Sequence, residues 1–392
     1  MTPPPAPTSM PKPLPVDAIV GGLAFHRLGF ARRRRGWWTP LVTGLLAAAF
    51  YLVLTIVLGV AVGLLAFADA SMAERFLSLA GGPQVFFDLT DPVLVAVLLL
   101  SIVFLLPSYV LASLIVQGGK LGFISSAAGR LRWGWLLRTT GAAVVLAVVL
   151  SGLSFLLPGG AEGVTDGSGV VAPADNPALW TTLVVLLLLV PLQAAAEEYV
   201  FRGYLMQAVG RWLRHPAFAI LLPVPLFVLG HLYDPVGQVG VGVFAIAAGW
   251  LTWRTGGLEA AIALHVVNNL LAFLLALAGL SDVNAQSPGW MSLVFSTLLI
   301  GAYVAVVEWM FRRSGLGRTV IVTPAPVPVP PVAPAWAGSP APAVPAYEPS
   351  AQGPAGDQAA GDQAAAGDQA AAGDQAAAGD QAAESPSASR IV

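Results

Sequence analysis

Long runs of apolar residues alternate with short polar segments from residue 40 to residue 311 of the chain. A helix needs about 20 apolar residues to cross the hydrocarbon core of a bilayer, so runs of this length predict membrane-spanning helices. The pattern gives eight candidate spans, at 40–67, 92–116, 136–157, 178–206, 217–233, 239–253, 258–279 and 290–311. The predicted fold class is therefore all-α, a polytopic transmembrane helical bundle of about eight spans.

The fifth and sixth candidate spans are shorter than the others, and the fifth contains Pro223 and Pro225. Proline-interrupted segments are tolerated at membrane depth where they are buried in protein or line a cavity. We therefore expect these two segments to border a site rather than to face lipid.

Positive charges collect at alternate connections between the predicted spans, and Lys/Arg-rich connections face the cytoplasm. The run Arg32–Arg35 stands beside Trp37 and Trp38, which we interpret as a topology signal and an interfacial anchor. The other Lys and Arg residues expected on that side are Lys120, Arg130, Arg132, Arg138, Arg211, Arg214, Arg254, Arg312, Arg313 and Arg318. We therefore expect both termini to be cytoplasmic and the protein to lie in the cell membrane.

Charge is scarce in this chain: 19 Lys and Arg and 21 Asp and Glu make up 10% of 392 residues. Soluble domains carry about 25% charged residues, so this composition excludes a soluble enzyme. It also excludes a nucleic-acid binder that works through bulk positive charge. The chain has no cysteine, which excludes thiolate nucleophiles and cysteine-ligated metals. The abundance of Ala, Gly, Arg and Pro suggests a GC-rich, bacterial genome.

Four regions follow from these patterns. They are an N-terminal cytoplasmic arm with a basic anchor (1–39), three N-terminal spans (40–157), a transmembrane core (178–311) and a tail (312–392). The tail is first rich in Pro and Ala and then repeats Gly-Asp-Gln-Ala-Ala five times, which predicts a disordered segment. It either docks an unknown partner or has no function of its own.

Three clusters of polar residues lie inside the predicted spans, where a charge calls for a functional hypothesis. In the first, Glu198 and Arg202 are four residues apart and can pair on one helix face. Glu197 points about 100° away from that pair and is free to face another cavity. We therefore expect Glu198 and Arg202 to be supporting residues and Glu197 to act as a general base.

The other two clusters contribute His231 and the pair His265 and Asn269, again four residues apart. A histidine in a membrane helix can simply hydrogen-bond to a neighbouring helix. Counted at 1.5 Å per residue, however, Glu197, His231, His265 and Asn269 lie at roughly similar depths, about 12–22 Å from the cytoplasmic edge. We expect these four residues to meet in one cavity that opens toward the cytoplasm.

Together the clusters resemble the CPBP family of intramembrane proteases, also called the CAAX prenyl protease or Abi family. Its ordered pattern is EExxxR, FxxxH and HxxxN or HxxxD on successive helices. The matching residues are Glu197, Glu198, Arg202, Phe227, His231, His265 and Asn269. The resemblance covers roughly residues 178–280.

The resemblance implies that Glu197 and His231 hold and deprotonate a water, while His265 and Asn269 stabilise the oxyanion. It leaves two mechanisms open: a zinc ion held by Glu197, His231 and His265, or a metal-independent glutamate-dependent hydrolase. It implies hydrolysis of a peptide bond in a membrane-associated or CAAX-like peptide or a membrane protein, with the lipid bilayer as surroundings and no nucleic acid as partner.

Two hypotheses of other classes remain. Buried Glu, His and Arg can form a proton or ion path in a transporter, although the spans show no internal repeat. A non-catalytic membrane scaffold that recruits partners through its tail is the second.

Overall fold

A computed structural model describes residues 14–80, 87–155, 171–287 and 289–323. Almost all regular structure in these residues is helical, which confirms the predicted all-α bundle. The predicted Pro/Ala-rich and repeat segments of the tail lie from residue 324 onward, outside the described residues.

The N-terminal half contains a short arm followed by three membrane-spanning units. The arm comprises α1 (Val16–Ile19), strand β1 (Leu23–Ala24) and a 3₁₀ helix (Phe25–Ala31). The spanning part and its flanking helix comprise α2 (Thr39–Ala68), α3 (Ala70–Ala80), α4 (Pro92–Val103), α5 (Leu105–Gln117) and α6 (Trp133–Phe155). Two further 3₁₀ turns are Leu121–Ile124 and Pro173–Asp175.

The C-terminal half begins with one long helix in three parts: α7 (Leu179–Glu198), a π-helix (Tyr199–Leu205) and α8 (Met206–Trp212). Two short helices follow, α9 (Pro216–Leu221) and α10 (Val224–Leu229). The remaining elements are α11 (Pro235–Thr255), α12 (Glu259–Leu277), α13 (Gly289–Ser314) and strand β2 (Thr319–Val320).

Seven helices in the described part of the chain are long and apolar enough to cross a membrane, and they correspond to seven of the eight predicted spans. The protein is an integral membrane protein. The fifth predicted span, 217–233, is instead the pair α9 and α10. The prolines explain this difference, because Pro223 and Pro225 stand where a continuous helix would need backbone N–H donors.

The short pair α9 and α10 nevertheless connects the two sides of the bundle. Just before it, Gly210 O accepts a hydrogen bond from Arg27 of the N-terminal arm (2.9 Å). Just after it, Asp234 N donates to Gln286 O (2.9 Å), in the loop between α12 and α13. The pair therefore leads from the arm side of the bundle to the side of the α12–α13 loop, and we expect it to form an eighth crossing that is shorter and more irregular than the others.

Strand pairing shows that both ends of the described chain lie on one side of the bundle. Strands β1 and β2 pair antiparallel, with Leu23 opposite Val320. An even number of crossings is required to bring these residues together, in agreement with eight. The first residues of the predicted disordered tail are accordingly ordered, since α13 continues to Ser314 and β2 follows it.

The N-terminal arm is more buried than its basic sequence indicates. Arg32 is only 1% exposed and donates to Ser113 Oγ, Ser113 O and Gly118 O at 2.8–3.2 Å. We interpreted Arg32 as part of a basic interfacial anchor, and in the structure its side chain lies inside the protein. Its guanidinium instead fastens the arm to the end of α5, while Arg33 and Arg34 are exposed.

Apolar residues of the arm pack against the helices of the C-terminal half. Leu23, Phe25 and Leu28 are fully buried in one cluster with Leu258 and Ile262. Partly buried residues of α7, the π-helix and α12 border this cluster: Ala195, Tyr199 and Val266. The arm therefore covers the ends of the same helices that carry the polar motifs.

Helix α12 is the most enclosed of the seven long helices, with 56% of an 18-residue stretch of it buried inside the protein. Ala260, Ala261 and Ala263 are fully buried, and such small residues let helices approach closely in membranes. Helix α12 contacts α6, α7 and α11. The residues that it carries are thus held by protein on several sides.

Candidate active site

Two adjacent carboxylates lie where α7 changes into the π-helix. Glu197 and Glu198 are the last residues of α7, and the next seven residues have π geometry. A π segment widens the turn and is frequent at functional sites. The side chain of Glu198 is fully buried, whereas that of Glu197 is 13% exposed. The two carboxylates therefore occupy different surroundings, as the sequence predicted.

Glu198 bridges a cation and a histidine. Its Oε1 accepts from Arg202 Nη1 at 2.7 Å and lies 2.8 Å from His265 Nδ1. An ionised carboxylate can only accept, so Nδ1 must carry the proton that it donates to Glu198. The predicted pair of Glu198 and Arg202 thus has an additional partner, His265 on α12.

Arg202 is enclosed by aromatic rings and a backbone carbonyl. Its guanidinium carbon lies 4.5 Å from the centre of the Phe227 ring and 5.7 Å from that of Phe244. Its Nη2 donates to Ala245 O at 3.2 Å. A buried ion pair needs such additional partners to offset its desolvation. Phe227 of the FxxxH motif therefore supports Arg202.

Glu197 faces the other nitrogen of the same imidazole. Its Oε2 lies 3.5 Å from His265 Nε2, which is within ion-pair distance but too long for a strong hydrogen bond. With Nδ1 protonated, Nε2 of the neutral ring is an acceptor. Two acceptors that face each other suit a water molecule, which carries two donors. Glu197 Oε2 is buried and accepts no hydrogen bond from the described residues, so a water that donates to both atoms would satisfy it.

A chain of amides joins Glu197 to Asn269. Gln193 Nε2 donates to Glu197 Oε1 at 2.7 Å, and Asn269 Nδ2 donates to Gln193 Oε1 at 3.1 Å. Asn268 Nδ2 in turn donates to Asn269 Oδ1 at 3.2 Å. Asn269 is thus brought to the site through Gln193.

His231 lies beyond the end of the short helix α10. It follows α10 in a bend, its Nδ1 lies 2.8 Å from Phe227 O, and its ring packs on Phe227 and Tyr233. The Phe227 ring lies 4.8 Å from His231 and 6.0 Å from His265, measured between ring centres. Both imidazole rings therefore border Phe227, and the expectation that His231 shares a cavity with Glu197, His265 and Asn269 stays a prediction.

Comparison with known proteins finds one family model that matches the part of the chain that carries this site. Residues 178–271 match the family model "Type II CAAX prenyl endopeptidase Rce1-like". The resemblance predicted from the three motifs is confirmed. All seven motif residues lie within this Rce1-like region.

A curated relative of the chain is an uncharacterized protein, YyaK, of Bacillus subtilis (strain 168). It is 29% identical over 149 residues, which cover 34% of this chain and 49% of YyaK. The chain thus spans about half the length of the curated relative that it matches. No solved structure matches the chain.

The predicted zinc ligands of the Rce1-like region do not converge. Among the described residues, no three His, Cys, Asp or Glu side chains are grouped so that they could hold a metal ion. Glu197 and His265 are neighbours, but the contacts of His231 are with Phe227 and Tyr233. The described residues therefore do not offer zinc a set of three ligands. Zinc binding remains a prediction that metal analysis of the purified protein can test.

Two polar groups of the Rce1-like region did not figure among the predicted site residues. Gln193 contacts both Glu197 and Asn269, and its position four residues before Glu197 is a signal that could have found it. Glu259 forms a buried ion pair with Arg132, whose Nη2 lies 2.6 Å from Glu259 Oε2. That pair fixes the start of α12 two turns before His265.

Proposed function

We propose that this protein is an intramembrane endopeptidase that hydrolyses a peptide bond of a membrane-associated or CAAX-like peptide. The observation that carries the proposal is the pairing of Glu197 Oε2 with His265 Nε2 at 3.5 Å. Both atoms lie within the membrane-spanning helices and can accept a proton from one water. The family match supports the same kind of chemistry.

In the proposed mechanism Glu197 takes a proton from the water, and the oxygen of that water attacks the carbonyl carbon of the peptide. The carbonyl oxygen becomes an oxyanion in a tetrahedral intermediate. The intermediate collapses, the C–N bond breaks, and the departing nitrogen takes the proton from Glu197. One water and one peptide bond thus yield two products, a carboxylic acid and an amine. Glu197 returns to its ionised form.

The other residues orient these groups. Glu198, held by Arg202, fixes the proton on His265 Nδ1 and so turns Nε2 toward the water. This arrangement gives His265 the water-holding role that we had expected of His231. Asn269 keeps its expected role as a donor to the oxyanion, since Nδ2 has a second hydrogen beyond the bond to Gln193. His231, beside Phe227, is a further candidate donor.

We also propose that the arm side of the bundle is cytoplasmic and that the membrane is the cell membrane. Arg33 and Arg34 are exposed on that side, and positive charges face the cytoplasm. The arm packs there against α7 and α12, so a substrate that enters from the cytoplasm has to pass it.

The test replaces Glu197, the proposed base, by a residue of the same size and shape. Glu197→Gln removes the proton acceptor, and we expect loss of activity of at least about a hundredfold, the lower range for a general base. The measurement compares peptide termini in membrane vesicles that contain the wild-type or the variant protein. A farnesylated, internally quenched CAAX peptide serves as a defined probe.

Glu308→Gln is the matched control, because Glu308 is a membrane-helix carboxylate on α13 that pairs with Arg254 and Arg312. We expect this variant to produce the same termini as wild type. If Glu197→Gln also produced them, Glu197 would not be the base and the proposed mechanism would be wrong.

A further inference from the structure

Three side-chain amides form one directed chain that ends on Glu197. Asn268 donates to Asn269, Asn269 donates to Gln193, and Gln193 donates to Glu197, at 3.2, 3.1 and 2.7 Å. Gln193 is the central member, is only 5% exposed and connects α7 with α12. Its contacts are with the proposed base, Glu197, and the proposed oxyanion donor, Asn269.

The direction of this chain follows from the charge of its last member. An ionised carboxylate has no donor, so Gln193 must turn its NH₂ group toward Glu197. Its carbonyl oxygen then faces Asn269, which must turn its own NH₂ group toward Gln193. The orientation of both amides is therefore set by the carboxylate and not by local packing alone.

We propose that Gln193 is a positioning residue that orients both the base Glu197 and the oxyanion donor Asn269. This inference rests on the proposed function and deepens it. Gln193 holds Glu197 Oε1, which leaves Oε2 to face His265 and the water. It also holds Asn269 with Nδ2 inward, so the second hydrogen of that amide is available to the substrate.

The chain also connects protonation of Glu197 to stabilisation of the oxyanion. When Glu197 takes the proton of the water, it becomes a weaker acceptor for Gln193, and at that moment the oxyanion forms. The hydrogen bond that Gln193 accepts from Asn269 depends on the same carboxylate, because that carboxylate sets the orientation of the Gln193 amide. A side chain with both a donor and an acceptor is needed at this position, and glutamine four residues before Glu197 supplies both.

The test uses Gln193→Met, which keeps the length of the side chain but removes donor and acceptor. We expect kcat to fall on the order of tenfold to a hundredfold, as for loss of a hydrogen bond to a charged group, with KM little changed. Gln193→Glu is isosteric and adds a like charge beside Glu197. Cleavage of the farnesylated CAAX peptide and of vesicle proteins provides the rate.

The pH dependence separates positioning from a purely structural role. The charged groups that face Glu197 are His265, Glu198 and Arg202, and all three are retained in these variants. Loss of the Gln193 donor destabilises the carboxylate, so the acidic limb of the rate profile moves to higher pH. The shift should be larger in Gln193→Glu than in Gln193→Met.

A second readout does not depend on catalysis. The infrared carboxyl band of Glu197 is assigned by its absence in Glu197→Gln and is then titrated with pH. Its midpoint should move in the same direction and order as the rate profile. Gln207→Met is the matched control, since Gln207 is equally buried on α8 but donates to Phe123 O.

The possible outcomes distinguish the positioning role of Gln193 from the proposed protease mechanism. A midpoint that stays in place in both Gln193 variants overturns the positioning role, even if Glu197→Gln abolishes cleavage. A midpoint that moves, in a protein whose cleavage products do not depend on Glu197, shows that Gln193 holds the Glu197 carboxylate but overturns the proposed protease mechanism and, with it, the positioning role in catalysis. An equal shift in Gln207→Met also overturns the inference.

Discussion

At the scale of single residues, the ion pair of Glu198 and Arg202 is expected to contribute to the stability of the site. Both side chains are at most 3% exposed, and Glu198 also orients His265. In Arg202→Met the carboxylate loses its cation while it stays buried. We expect a loss of about 3–5 kcal/mol in the free energy of unfolding, as for a broken buried pair. Thermal or chemical unfolding in detergent measures it.

The double variant Glu198→Gln/Arg202→Met removes both charges and should be more stable than Arg202→Met alone. Arg312→Met is the matched control, because Arg312 has the same i,i+4 spacing to Glu308 but is 73% exposed. An exposed pair contributes about 0–1 kcal/mol. Equal losses in the buried and exposed pairs would show that burial does not decide the cost.

The residue scale also shows what the sequence could predict. Glu198 with Arg202 follows from helix spacing, and the proximity of Glu197 and His265 was expected from depth and motif order. Gln193 was not predicted as a site residue because glutamine in a membrane helix carries no charge that calls for a partner. His231 was predicted as a site residue from its motif, but its exact position depends on how α10 ends, and spacing along one helix does not contain that information.

At the scale of elements, docking of the N-terminal arm on α8 depends on Gly210. A Cβ at this position would overlap the backbone carbonyl of His26. In Gly210→Ala the 3₁₀ helix has to move away, at a cost of about 1–3 kcal/mol for overpacking. We expect faster hydrogen exchange across residues 23–31, measured by mass spectrometry in detergent micelles.

Gly141→Ala on α6 is the control for this substitution, because a Cβ there meets nothing within 4 Å. Alanine is the better helix former, so exchange should be unchanged or slower. Unchanged exchange of the arm in Gly210→Ala would mean that the arm does not rest on α8 in solution.

The elements that the sequence predicted well are the long apolar helices, since length and hydropathy decide them. The arm and the start of the tail could not be predicted in the same way. Their order comes from partners far away in the chain: Arg32 with Ser113, and β1 with β2. Such long-range partners leave no periodic signal in either segment.

At the scale of the whole molecule, the number of crossings decides which surfaces face each compartment. Pairing of β1 with β2 requires an even number, whereas the described residues contain seven helices of spanning length. The bond from Asp234 to Gln286 indicates that α9 and α10 complete the eighth crossing. The turn after α10, with His231, then belongs to the side opposite the arm.

Cysteine labelling can test this arrangement, because the chain has no cysteine of its own. Arg33→Cys, Pro235→Cys and Ala285→Cys each place one thiol at an exposed position. A membrane-impermeant maleimide is applied to intact cells and to permeabilised cells, and labelling is measured on gels. Each variant reports one side of the membrane.

We expect Ala285→Cys and Pro235→Cys to react in intact cells, because Asp234 is bonded to the loop that contains residue 285. Arg33→Cys should react only after permeabilisation, because the basic arm faces the cytoplasm. Labelling of Pro235→Cys together with Arg33→Cys would contradict the eighth crossing and make α9 and α10 a re-entrant segment. Labelling of Arg33→Cys alone in intact cells would reverse the orientation. In either case the site would have to be approached from the other side of the membrane.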